Sequence, residues 1–185
     1  SAMEMIVTIP TDLGGSTTAD GAQYIGMEVT NASQLFSFNA VNGYADAPPT
    51  PVDTDNDGVT DRVCWVTWYA TTFDRHGVAG CHRIDTPNPI EIWHRDLERS
   101  SGNPNDEIAV SPVVLLDIDG TGAPEVLVPY GRTLYAFDGE EGSAAAINNN
   151  WIGGVDLDHR TWSAPTLADI DGDGAIDILK IGRAH

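Results

Sequence analysis

One acidic pattern occurs three times and constrains this chain more than any other feature. It reads Asp53-Thr54-Asp55-Asn56-Asp57-Gly58-Val59-Thr60-Asp61, then Asp117-Ile118-Asp119-Gly120-Thr121-Gly122-Ala123-Pro124-Glu125, then Asp169-Ile170-Asp171-Gly172-Asp173-Gly174-Ala175-Ile176-Asp177. Oxygen-bearing side chains stand at positions 1, 3 and 5 of each copy, glycine at 6 and a carboxylate at 9. In a curling loop alternate residues point inward, the glycine permits the sharp turn, and position 7 offers its backbone carbonyl. Such a loop wraps one hard cation, and calcium fits best because it accepts six to eight oxygens at flexible angles. An EF-hand would continue to a bidentate Glu at position 12, where this chain has Cys64, Val128 and Lys180, so the short form of the loop is expected. Asp and Gly also form plain surface turns without a ligand. Four carboxylates in one turn repel strongly without a cation, however, and the threefold recurrence favours metal. The middle copy is the weaker, with the neutral Thr121 where the others carry Asp57 and Asp173.

The loops account for much of the charge. The chain has 185 residues, 28 acidic and 9 basic, for a net charge of −19, and eleven of the acidic residues lie in the three repeats. Three divalent cations would still leave a charge of about −13. A surface of this sign disfavours nucleic acid and anionic membranes, which both need basic patches. No run approaches the ~18 apolar residues of a membrane-spanning helix, so membrane insertion is not expected. With 41% hydrophobic residues the chain can bury a good core. Weak calcium sites fill outside the cell, where free calcium is high, so an extracellular or cell-surface location is expected.

Spacing adds the architecture. Asp53 to Asp117 is 64 residues and Asp117 to Asp169 is 52, a period that points to propeller blades or another repeat fold. Before each loop a Pro leads into a short run, at 49–52, 112–116 and 165–168, each predicted as a strand delivering the chain into the loop. After each loop comes a Val-, Ile-, Leu- and aromatic-rich strand, at 62–70, 126–130 and 176–181. The last two are nearly continuous apolar runs, as expected of strands buried on both faces. Tyr130-Gly131-Arg132-Thr133 is a two-residue hairpin turn into a strand at 133–137, and 151–157 supplies a fourth strand. The preceding repeat follows the same order, with a strand at 63–71, a turn at 72–78, a return strand at 79–84 and an outer strand at 90–96.

Cys64 and Cys81 lie almost symmetrically about that turn, so a disulfide across the two strands is expected. Two buried free thiols in a reducing compartment are the alternative. The domain reading is residues 1–48 as N-terminal strands able to complete a blade, 49–100 as a blade with the Cys64 and Cys81 hairpin, 101–160 as a second blade, and 161–185 as an incomplete one. Closure within one chain would give only about three blades, below the usual four to eight, so a segment of a longer propeller is favoured.

Ser163-Ala164-Pro165-Thr166-Leu167-Ala168 and the acidic loop that follows resemble an FG-GAP/VCBS repeat, the unit of the β-propellers of integrin α-chains and of many secreted bacterial and archaeal proteins. Leu134-Tyr135-Ala136-Phe137-Asp138-Gly139 with Trp151 is also similar to the blades of quinoprotein-like propellers. Together the likenesses cover about 49–185. The first loop, with Asn56 for the usual Gly, also resembles a thrombospondin type 3 calcium repeat, which would make it an insertion without changing its metal.

The resemblance implies an all-β propeller segment of roughly three four-stranded blades, with calcium loops between first and second strands and two to three Ca2+ ions. It implies metal ligation by Asp53, Asp55, Asp57, the Val59 carbonyl and Asp61; by Asp117, Asp119, Thr121, the Ala123 carbonyl and Glu125; and by Asp169, Asp171, Asp173, the Ala175 carbonyl and Asp177.

No Gly-x-Ser-x-Gly elbow, His-Glu-x-x-His, phosphate-cradling glycine loop or Cys-x-x-Cys is present. His76 and His82, beside Arg75 and Arg83, read as part of a solvated polar turn. Alternation along one strand puts Trp65 and Tyr69 on one face and Trp68 on the other, which inter-blade packing explains better than a sugar-stacking platform. No catalytic residues are therefore assigned. The expected function is non-catalytic adhesion or binding of a protein or carbohydrate ligand. The alternatives are the propeller portion of a secreted polysaccharide-degrading or quinoprotein-like enzyme, and a structural protein that self-associates through open strand edges.

Overall fold

The computed structural model describes residues 4–10, 22–28, 30–31, 33–40, 47–54, 57–70, 75–86, 88–97, 111–118, 120–140, 142, 154–157, 159–160 and 163–179. Every regular element among them is a strand, and all pairings are antiparallel. β1 (Glu4–Pro10), β2 (Ala22–Glu28) and β3 (Gln34–Asn39) form a meander, and β4 (Thr50–Val52), β5 (Arg62–Ala70), β6 (Arg75–Arg83) and β7 (Ile90–Leu97) form a second. β8 (Val114–Leu116), β9 (Glu125–Tyr130), β10 (Thr133–Asp138) and β11 (Val155–Asp156) form a third. β12 (Thr166–Ala168) pairs with β13 (Asp177–Leu179). Within each sheet neighbours in space are neighbours in sequence.

The sheets stack in chain order because the central strands are apolar on both faces. Along β5, Val63 and Trp65 pack with Tyr24, Phe36 and Phe38 of the first sheet, while Cys64 and Val66 pack with Val126, Val128 and Tyr130 of the third. Tyr69 joins the first of these clusters and Trp68 the second, as the two-residue period of a strand dictates. The alternation recurs one sheet on. Val126 and Val128 face back towards β4–β7, whereas Leu127, Leu134 and Ala136 face Leu167 and Ile178 of β12–β13. Four-stranded meanders packed face to face in succession make a propeller-like arrangement.

Specific contacts tie the second sheet to the third. Thr50 Oγ1 donates to the Val113 carbonyl at 2.7 Å. The Gly139 carbonyl accepts from the buried indole of Trp93 at 3.1 Å and from Arg62 Nη1 at 3.2 Å, and Arg62 Nη2 lies 3.8 Å from Glu140. Gly142 closes that turn at φ 62°, and a Cβ there would fall against the Trp93 ring. Only glycine meets both demands.

Several elements differ from the sequence reading. β6 begins at Arg75 and pairs with β5 as far out as Ala70, so residues 75–78 are strand rather than turn. The polar run Arg75-His76-Gly77 hid this. Gly77 and Val78 are nevertheless buried, and Gly77 lets the Tyr130 ring approach from the next sheet. β2 has no counterpart in the sequence reading, yet it is the central strand of its sheet. Of the expected fourth strand at 151–157, Trp151 lies outside the described residues and β11 covers Val155–Asp156.

Cys64 and Cys81 are register partners on β5 and β6 and form a disulfide, 17 residues apart in sequence. It crosses the central strands of the sheet that carries the first acidic loop. A loop of this length restricts the unfolded chain by about 3 kcal/mol in the chain-entropy model. Replacing both cysteines by serine is expected to lower unfolding free energy by about that amount, read as a lower urea midpoint, with a steeper slope because the uncrosslinked unfolded chain exposes more surface.

Candidate functional site

Each acidic repeat sits where the sequence pattern put it, joining β4 to β5, β8 to β9, and β12 to β13. In the first two loops a short edge strand enters and a longer central strand leaves, and in the third two three-residue strands pair, so positions 1 and 9 of each loop stand at adjacent strand ends. The ladders close at Val52 opposite Arg62, Leu116 opposite Glu125, and Ala168 opposite Asp177.

One hydrogen-bond scaffold recurs in all three loops. The carboxylate at position 1 accepts the backbone N–H of position 6: Gly58 to Asp53 at 2.8 Å, Gly122 to Asp117 at 2.9 Å, and Gly174 to Asp169 at 3.0 Å. The carboxylate at position 9 reaches back to the N–H of position 2: Thr54 to Asp61 at 3.1 Å, Ile118 to Glu125 at 2.7 Å, and Ile170 to Asp177 at 2.9 Å. In the outer two copies position 5 also accepts from position 7, as Val59 to Asp57 at 2.7 Å and Ala175 to Asp173 at 2.8 Å. Glycine at position 6 has φ of 88°, 91° and 89° in the three copies, a conformation that L side chains rarely adopt. At these described positions the three turns therefore share one hydrogen-bond pattern and one glycine conformation despite their different sequences.

Among the described residues, the third loop gathers a compact carboxylate group. Single carboxylate oxygens of Asp169, Asp171 and Asp177 all lie within 4.8 Å of one another. Each such pair repels by roughly 1 kcal/mol even in bulk water, and more where solvent is displaced. Asp173 is not part of this group, its Oδ1 being turned to the Ala175 N–H. Asp55 and Asp119, expected at position 3 of the other loops, lie outside the described residues. Asp53 and Asp61 are half-buried, Asp57, Asp117 and Thr121 are exposed, and Glu125 is buried. Val59 is 63% exposed and Ala175 is exposed, while Ala123 is half-buried. The donors are hard oxygens, preorganised on backbone N–H groups, and they fit a hard divalent cation rather than a thiophilic metal.

No protein-family model matches the chain, and no curated protein matches it. Among solved structures it is similar to the crystal structure of BamB from Moraxella catarrhalis, a β-propeller, with 15% identity over 82% of this chain and 40% of that one and a TM-score of 0.49. The chain thus spans well under half the length of that structure.

Three participants carried no sequence signal. Thr54, at position 2 of the first loop, donates its hydroxyl to Asp61 in addition to its backbone N–H. Arg62, directly after Asp61, reaches the Gly139 turn beyond the second loop, and Gly139 in turn sits against the Pro124 carbonyl. A cavity of about 240 Å³ lies between these two loops, lined by Val52, Leu115, Ala123 and Pro124 with Arg62 and Glu140. His82 is the third. It is buried inside β6 rather than solvated in a turn, while His76 stacks on Tyr69 at a 5.1 Å centroid distance.

The position-6 glycines make the loop geometry testable. No atom lies within 4 Å of a Cβ built on Gly58, so substitution there strains the backbone without a clash. Gly58→Ala is expected to destabilise the protein by about 1–2 kcal/mol, whereas Val59→Ala beside it should stay within about 0.5 kcal/mol, both read by urea unfolding.

Proposed function

We propose that this chain is a calcium-stabilised, non-catalytic segment of an FG-GAP/VCBS-type propeller that serves adhesion or ligand binding in a secreted or cell-surface protein. The observation that carries the reading is the common scaffold of the three loops, in which position-1 and position-9 carboxylates are held on backbone N–H groups at adjoining strand ends.

In this reading Asp53, Asp57 and Asp61 hold the first ion with Asp55 and the Val59 carbonyl. Asp117, Thr121 and Glu125 hold the second with Asp119 and the Ala123 carbonyl. Asp169, Asp171 and Asp177 hold the third with Asp173 and the Ala175 carbonyl. Bound calcium would neutralise the crowded carboxylates and join the end of one strand to the start of the next. The protein's own contribution is positional, since backbone N–H groups hold the position-1 and position-9 carboxylates of each loop. The disulfide supports an oxidising location, where calcium is also plentiful. The stacked sheets supply a rigid framework, and binding would fall to surfaces between its loops.

Excess EGTA is expected to lower the melting temperature by about 5–10 °C for each site emptied, with recovery on adding calcium, since a ligand at 100 times its Kd contributes about 2.7 kcal/mol per site. An unchanged melting temperature would refute structural calcium. Incubation with acidic polysaccharides should give no unsaturated-uronate absorbance; its appearance would favour the enzyme alternative.

A further inference from the structure

We propose that His82 is an acid-sensitive latch that holds the N-terminal sheet β1–β3 against the sheet β4–β7. The two sheets share no strand pairing, and among the described residues their seam is built of side chains. Tyr24, Phe36, Phe38 and Ala40 meet Val63, Trp65 and Val78 there, and His82 is set among them at 4% exposure. The Phe38 ring, from β3, stacks on the imidazole with centroids 4.0 Å apart and planes within 16°. Trp65, from β5, donates its indole N–H to His82 Nδ1 at 3.1 Å.

That hydrogen bond requires a neutral imidazole with the proton on Nε2, because an indole can only donate. Protonation at Nδ1 would set two donors face to face and place a charge within an aromatic seam. The Tyr24 hydroxyl, buried in the same cluster without a hydrogen-bond partner among the described residues, offers that charge no anion at ordinary pH. On β7, Glu91 is the register partner of His82 and favours the charged form, but its carboxylate is engaged with His94 Nδ1 at 2.7 Å, and His94 opposes a second positive charge. Phe38 of β3 and Trp65 of β5 contribute no charge.

Burial is the dominant influence, holding His82 down to about 4 from 6.5. The sign follows from linkage. A released His82 binds protons between these two values and a docked one does not, so docking is at full strength above 6.5 and weakens as pH falls towards 4. Stacking of a cationic imidazole on Phe38 would recover part of the loss but cannot restore the acceptor for Trp65.

The full chain can be tested by hydrogen exchange with mass spectrometry at pH 7.5 and pH 5, corrected for intrinsic rates and run in excess calcium at both values so that the acidic loops stay in one metal state. Peptides covering β2 and β3 are expected to lose at least about tenfold in protection at the lower pH relative to β9 and β10, an effect absent in His82→Gln, which keeps an acceptor for Trp65 but does not titrate. Equal loss in β9 and β10, or equal loss in the variant, would overturn the proposal. An NMR titration of the wild-type His82 ring supplies a check that needs no variant: a midpoint well below that of an exposed histidine is expected, and an ordinary one would overturn it.

Discussion

Like-charged carboxylates forced together at strand junctions are the constraint on which the rest of this molecule depends. A chain that places acidic side chains at both ends of a nine-residue turn has to hold them in position, and here the backbone does so. The N–H of position 6 meets position 1, and the N–H of position 2 meets position 9, in all three copies. These bonds also fix where the following strand starts, because position 9 lies at or beside the first ladder pair. Under the calcium reading, the remaining repulsion is what a divalent ion removes.

Strand starts set in this way feed a stack of sheets in which β5 and β9 are buried on both faces. Val63 and Trp65 look one way and Cys64 and Val66 the other, so the sheet β4–β7 is sandwiched between its neighbours. The contacts between sheets then return to the loops. Arg62 leaves the first loop to reach the Gly139 carbonyl, which Trp93 also holds and which lies against Pro124 of the second loop. The first two acidic turns are thereby mechanically connected across one sheet interface, whereas Val126, which occupies the position of Arg62 after the second loop, is apolar and faces the core.

Much of this was legible in the sequence because its signals are local. Asp/Gly spacing marks the turns, proline-led runs mark the entering strands, and the symmetric cysteines anticipated the disulfide. Legibility ended where a residue's fate depends on another sheet. Arg75-His76-Gly77 looks like a polar turn, yet β6 includes it because Tyr130 of the next sheet covers Gly77. β2, with Gly26 against the Phe36 ring, has too weak an alternation to announce a central strand. His82 carries the same side chain as His76, and only the approach of Phe38 from 44 residues upstream separates a buried acceptor from a surface group. Whether Asp173 joins the Asp169, Asp171 and Asp177 group is likewise not set by spacing, since its Oδ1 accepts the Ala175 N–H.

The most direct measurement is equilibrium dialysis of the metal-stripped protein against calcium, with bound metal determined by atomic emission. About two to three ions per chain are expected, with roughly one lost in the Asp169→Asn, Asp171→Asn double variant. Absence of bound calcium at millimolar free metal, or a stoichiometry unchanged in that variant, would contradict the calcium reading.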